Sequence, residues 1–245
     1  MLDIQFRNFI FLLLSIAALM TMVEGCREKT VLPNKIVYLG REYFPVAKGR
    51  YAEYKIETTA FNKLAPDTLT KQSYYQKEKT VDFEVTSLGD TIWRVEVYTK
   101  VDSLGVYSLR SQQAIKILKN KVLNVTNNLA KTVLLYPFRV GQVWNADEYN
   151  ENSASGAMSK VLSVGHLMAG GMHTDAVVTV ELQKDSNCLE RVKSYEYYAK
   201  GTGLQLKTYF YEEYNQDPSN PCFLPPVVRT RRTENKKIIK QGVEN

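Results

Sequence analysis

The chain has 245 residues, of which 44% are hydrophobic and 24% charged, with a formal net charge of +6. That is ordinary globular composition with no internal repeat or low-complexity block, and it allows one large domain or two small ones. The positive excess gathers in "VVRTRRTENKKIIKQ" (Val227–Gln241), which reads as a strand with charge on its solvated face; no nucleic-acid motif accompanies it, and nucleic acid is not expected as a partner.

Arg7 and the free amine precede an apolar run, "FIFLLLSIAALMTMV" (Phe9–Val23), broken only by Ser15 and Thr21. The run falls short of the roughly 20 residues that span a bilayer, and its length suits the apolar centre of a secretory signal. Val23-Glu24-Gly25-Cys26 follows. It resembles a bacterial lipobox, with Gly25 as the small residue before the cysteine and Val23 at the aliphatic position; Glu24 departs from the usual small or hydroxyl residue. The resemblance implies that Cys26 is acylated and becomes the new N-terminus. Such an anchor holds because each buried CH₂ contributes about 0.8 kcal/mol. An ordinary cleaved signal and an uncleaved short anchor are the alternatives. Arg27, in place of an aspartate, points by the same resemblance to the outer membrane. "REKT" lacks the acidic cluster of surface-exported lipoproteins, so the expected orientation faces the periplasm in preference to the cell surface. The expected division is a lipoprotein signal peptide over 1–25, a tether over 26–40 and a β-domain over 41–245.

From Tyr43 onward the hydrophobic period is mostly two. "RYAEYKIE" sets Ala52, Tyr54 and Ile56 against Tyr51, Glu53 and Lys55. "TVDFEVT" sets Val81, Phe83 and Val85 against Asp82 and Glu84, and "TIWRVEVYTKV" sets Trp93, Val95, Val97, Thr99 and Val101 against Arg94, Glu96 and Lys100. "SLRSQQAIKILKN" (Ser108–Asn120) fits helix or strand, and "NADEYNENSASGAM" (Asn145–Met158) is polar and reads as a loop. "DAVVTVELQ" sets Ala176, Val178, Val180 and Leu182 against Thr179 and Glu181. These are half-buried antiparallel strands, wet on one side. "SLGDT" (Ser87–Thr91), "VDSLGV" and "KGTG" (Lys200–Gly203) supply hairpin turns with glycine available for positive φ. The expected fold is mostly β: a single curved antiparallel sheet or half-barrel of about ten strands, because curling removes exposed edges. A two-sheet sandwich is the alternative.

Four phrases add a resemblance. "YFPVAKGRYAEYKIE", "LLYPFRVGQVWNA" (Leu134–Ala146), "GGMHTDAVVTVELQ" and "YYAKGTGLQLK" (Tyr197–Lys207) are similar to phrases of uncharacterised Bacteroidota outer-membrane lipoproteins, in the same order across residues 41–215. His173 stands where that group has Phe, and Thr202 where it has Val. The resemblance implies a curved sheet like that of TapB/DUF3108-type domains, reminiscent of LolA or lipocalins. It implies no established activity.

Cys188 and Cys222 remain once Cys26 is set aside. An exported protein meets an oxidising compartment. Cys188 lies just before "RVKSYEYYAK" and Cys222 just after the returning "LQLKTYFYEEY" and its loop, so a hairpin brings both to one end. A disulfide there would stabilise by roughly 2–4 kcal/mol; two separate buried thiols are the alternative. His166 and His173 lack companion ligands, so no metal site is expected. "AGG" (Ala169–Gly171) lacks the lysine of a phosphate loop, and neither "SASG" nor "GMHT" matches a nucleophile elbow. No catalytic residue, metal or cofactor is therefore expected.

Sixteen tyrosines stand out, and Tyr195, Tyr197, Tyr198, Tyr209 and Tyr211 concentrate on one hairpin. Such a cluster suits stacking on a sugar or contact with a protein partner, or equally cross-strand packing. Asp67-Thr68-Leu69, Asp90-Thr91-Ile92 and Asp102-Ser103-Leu104 match an acceptor motif resembling the Bacteroidota O-glycosylation signal, at Thr68, Thr91 and Ser103. The competing reading is turn chemistry, in which Asp satisfies backbone donors. The functional expectation is a non-enzymatic envelope protein, held in the membrane by its lipid. It would bind a small apolar ligand or a partner protein; a carbohydrate-binding accessory and an assembly factor are the alternatives.

Overall fold

The structure, a computed structural model, describes residues 40–62, 69–87, 89–150, 158–169, 172–183, 189–214 and 228–244, and for 62, 166–169, 172–177 and 183 the backbone alone. Cys26, Cys188, Cys222 and Thr68 lie outside the described residues. The chain divides into two compact units, Met1–Val37 and Tyr38–Asn245, and the second carries all of the architecture that follows.

Its strands are β1 (Arg50–Asn62), β2 (Thr70–Val85), β3 (Thr91–Lys100), β4 (Ser108–Ile117), β5 (Lys121–Thr126), β6 (Leu129–Leu135), β7 (Val143–Asn145), β8 (Met158–Ala169), β9 (Met172–Gln183), β10 (Glu190–Ala199), β11 (Gly203–Tyr214) and β12 (Val228–Val243). All twelve form one antiparallel sheet in the order β6-β5-β4-β3-β2-β1-β12-β11-β10-β9-β8-β7. Strands consecutive in sequence pair with each other except β6 and β7, and the first pairs with the last, Arg50 opposite Val243. The sheet is curved, nearly closed and barrel-shaped. The single-sheet expectation holds, and the sandwich is not formed. Ser108–Asn120, open to either reading, is mostly strand β4.

The two free edges, β6 and β7, are consecutive in the chain and are stitched to each other. The Thr132 N–H donates to the Ala146 carbonyl at 2.8 Å, and the Trp144 indole N–H donates to the Thr132 carbonyl at 2.9 Å. The Asn150 amide closes on Ala130 from both sides, accepting its N–H and donating to its carbonyl, each at 3.1 Å. An open edge of this kind would otherwise present unpaired N–H and C=O groups to other chains.

Turn chemistry sets the register. Gly201 and Gly203 take φ of +74° and +89° in the β10–β11 turn, as "KGTG" predicted. The β5–β6 turn uses Asn127 and Asn128, both at positive φ (50° and 61°), a conformation asparagine tolerates better than most side chains. In β3, Val95 and Val97 are buried as the alternation predicts. In β2 the phase changes at a bulge: Thr80 faces Val95 but Asp82 faces Arg94, leaving Val81 unpaired. Phe83 and Val85 follow it, 48% and 62% exposed, with the Phe83 ring against Trp93 at 4.9 Å. Phe83 and Val85 keep the face of Trp93 and Val95, as the alternation predicts, but they lie past Lys79, where the pairing of β2 with β1 ends, and so stay open.

One end of the barrel is plugged. A single 3₁₀ turn, Arg41–Tyr43, and the following Phe44–Val46 lie among the turns of that end. The Gly201 N–H donates to the Glu42 carbonyl at 2.7 Å, and the Arg41 guanidinium donates to the Leu118 carbonyl at 3.3 Å. Tyr43 and Tyr136 both meet Phe138 edge-on, at 5.2 and 5.5 Å. Gly40 permits this closeness: a Cβ there would stand 2.3 Å from the Tyr136 ring. Below the plug lies the apolar core, including Ile115, Val122, Leu134, Val161 and Val178, each no more than 2% exposed.

Candidate functional site

Among the core residues, and against Phe44, Pro45 and Val46 of the plug, the barrel is not filled. A cavity of about 570 Å³ lies inside it, lined from every strand except β7. The size falls within the roughly 300–1,000 Å³ usual for small-molecule sites. Its wall has two characters. Val95 on β3, Ile115 on β4, Val133 on β6 and Val180 and Leu182 on β9 make an apolar side. The adjacent strands β10, β11, β12, β1 and β2 make a polar side with Glu196, Lys207, Lys236, Tyr54, Gln76 and Glu78.

The polar side is a connected set. The Lys207 ammonium donates to Glu196 at 2.6 Å, and the Tyr198 hydroxyl donates to the other oxygen of that carboxylate at 2.6 Å. The Lys236 ammonium donates to Glu78 Oε1 at 2.5 Å, and the Gln76 amide to the same oxygen at 2.7 Å. Lys236 also lies 4.2 Å from the centre of the Tyr54 ring, a cation–π contact. Side-chain exposure of Glu196 and Lys207 is 18% and 36%, and both line the cavity. Burial alone would push the Glu196 carboxyl up; the charge and hydrogen bond of Lys207, with the Tyr198 hydroxyl, hold it below the ordinary carboxylate value. Glu196 in turn holds the Lys207 ammonium above its usual value, against the opposing effect of burial. The Tyr54 and Tyr198 hydroxyls are pushed well above the ordinary tyrosine value, first by burial and then by the neighbouring carboxylates. At neutral pH Glu196 and Lys207 are therefore charged and the Tyr54 and Tyr198 hydroxyls neutral.

The tyrosines singled out on the β10–β11 hairpin do not form one surface. Tyr198 is 2% exposed, turned inward with its ring 6.3 Å from Phe44. Tyr209 and Tyr211 stand opposite Ser194 and Val192 in the register, on the face of Lys207. Tyr195 and Tyr197 take the opposite, outer face and are half-buried, Tyr195 beside Glu181. Thr91 is half-buried at the start of β3, while Ser103 is exposed in the β3–β4 turn. In that turn the Asp102 carboxylate accepts the Leu104 and Gly105 N–H groups at 2.9 and 2.6 Å, as the turn-chemistry reading describes. Among the described residues no group of three or more His, Cys, Asp or Glu side chains is placed to hold a metal ion.

Sequence reading missed the site's principal residues. Lys236 was placed on a solvated strand face; it is 12% exposed and points into the barrel. The three arginines of that strand are ion-paired: Arg231 with Glu212 at 2.6 Å, Arg229 with Glu213 at 3.3 Å and Arg232 with Glu234 at 3.0 Å. A usable signal existed for one pair. Counting outward from "KGTG" brings Glu196 and Lys207 opposite each other to within one residue, the remaining step being a bulge at Gln205.

No family model matches the chain, and no curated protein matches it. Among solved structures, its coordinates are similar to the crystal structure of a "putative lipoprotein" from Parabacteroides distasonis, at 8% identity and a TM-score of 0.41, over 82% of this chain and 98% of that one. A likeness at that score says nothing of function.

Proposed function

We propose that the protein is a non-catalytic, lipid-anchored protein of the outer membrane, facing the periplasm, whose barrel takes up a small molecule with a substantial apolar part. The observation that carries the reading is the cavity of about 570 Å³, walled on one side by Val95, Ile115, Val180 and Leu182. A domain that needed only a scaffold could fill that space with its own side chains, as protein interiors ordinarily do. The anchor rests on the lipobox-like Val23-Glu24-Gly25-Cys26. Contact with another envelope protein has one observation behind it: the β3–β4 hairpin exposes Val101, Leu104 and Val106 at 81%, 95% and 90%.

Native mass spectrometry of the full chain, extracted gently from its own membranes, is expected to show a bound small molecule. Leu182→Trp, which fills the apolar side, should remove it, with affinity falling about tenfold or more, a loss of about 1.4 kcal/mol. No adduct, together with no uptake of an environment-sensitive apolar dye, would sink the reading. The anchor has its own check. Cys26→Ala should move the protein from the membrane to the soluble fraction and abolish labelling by an alkyne fatty acid; unchanged fractionation and labelling would exclude acylation.

A further inference from the structure

We propose that the cavity receives an amphiphile by its oxyanion, a carboxylate or phosphate held between Lys207 and Lys236, with the tail against the apolar side; the inference rests on the uptake reading above.

The argument begins with the register. Lys207 on β11 and Lys236 on β12 are direct partners across the antiparallel pair, and both line the cavity. Side chains so placed have Cβ atoms only about 4.5–5.5 Å apart, and like charges there repel. The sheet does not separate them with a carboxylate. Glu196 attaches to Lys207 from β10, on one side, and Glu78 attaches to Lys236 from β2, on the other. The set across the wall therefore runs negative, positive, positive, negative, with Glu78 reaching Lys236 diagonally over β1. Its net charge is zero, which makes burial tolerable, but its centre is positive and faces the empty space.

Glu234, two residues along β12 from Lys236, also acts on Lys207, but it is shared with Arg232, which it meets at 3.0 Å. Each ammonium has three donors and gives one to its own glutamate, so donors remain for a ligand. An oxyanion lodged between the lysines would relieve their mutual repulsion and accept charge-assisted hydrogen bonds from both. A cationic headgroup would meet the same centre unfavourably, and a neutral hydroxyl would leave the repulsion in place. The apolar side then fixes the class of molecule. Val133 and Leu182, half-buried on that wall, offer a tail contacts that a free inorganic anion does not use.

The test compares amphiphiles of one tail and different heads on the full-length chain: dodecanoate, dodecyl phosphate, dodecanol and dodecylamine, with inorganic phosphate as a tail-free probe. Dodecanoate and dodecyl phosphate should bind about tenfold or more tighter than dodecanol, with dodecylamine weakest. Lys207→Gln and Lys236→Gln should each bring the acid-to-alcohol affinity ratio toward one. The wild-type comparison stands even if either variant folds poorly. Dodecanol or dodecylamine binding as tightly as dodecanoate would overturn the oxyanion site and leave the uptake reading intact. Inorganic phosphate displacing dodecyl phosphate at comparable concentration would assign the site to a free anion and overturn the amphiphile. Failure of all four amphiphiles to bind would remove both readings.

Discussion

Trp144→Ala should destabilise the barrel by about 3–5 kcal/mol, the usual cost of deleting a large buried aromatic. Trp144 is 7% exposed, sits in the shortest strand and ties the two sheet edges together through its indole N–H. Its loss removes core volume and the seam bond at once. For a domain of this size each kcal/mol lowers the melting midpoint by roughly 2–4 °C, so the expected drop is about 10 °C. Trp144→Phe separates the two contributions. It keeps most of the ring and loses the hydrogen bond to the Thr132 carbonyl, for an expected cost of about 1–2 kcal/mol. Chemical denaturation followed by circular dichroism measures both. If Trp144→Ala unfolds at the wild-type midpoint, the seam is held elsewhere.

The second large effect concerns the Glu196–Lys207 pair. Breaking a fully buried ion pair from one side costs about 3–5 kcal/mol, because the surviving charge has no partner. Here the side chains keep 18% and 36% exposure, so water screens the stranded charge, and Lys207→Met or Glu196→Gln should cost about 1–3 kcal/mol. The double variant Lys207→Met/Glu196→Leu should recover most of that loss. The pH dependence has a definite sign. Glu196 titrates lower in the folded chain than in the unfolded one, so its contribution is complete above the ordinary carboxylate value and disappears as pH falls through its folded value. Lys207 titrates higher when folded; its contribution is complete below the ordinary lysine value and is lost as pH rises through its folded value. The pair is thus whole at neutral pH, and Glu196→Gln should flatten the acid limb of the stability curve. A Glu196→Gln curve parallel to wild type down to the acid transition would show that the pair does not couple to folding.

Strand alternation made the class of fold legible, since a polar-out, apolar-in period survives averaging over many strands. It did not show how far each strand is covered: Phe83 and Val85 keep the face of Trp93 but overhang the end of the β1–β2 pairing, which alternation alone does not mark. The site was less legible for a related reason. A charged residue in a strand is assigned to the wet face by default, and Lys236 belongs to a run of cations where that default is at its strongest. Its inward direction follows from the register with β11 and from Glu78 reaching it across β1, contacts between residues far apart in sequence. The tyrosines misdirected for the opposite reason. They are conspicuous by number, but alternation distributes them between the inside and the outside of the same hairpin.

The pairing of β1 with β12 bears on how the molecule is made. The strand that emerges first has its partner in the strand that emerges last, Arg50 opposite Val243. Until that partner arrives, β1 and β11 each lack the neighbour that both finally share. Contacts so distant in sequence close slowly, and the waiting edges invite association with other chains. A chain of this design closes its barrel only once β12 is in place, and until then the waiting strands are what a holding factor would cover.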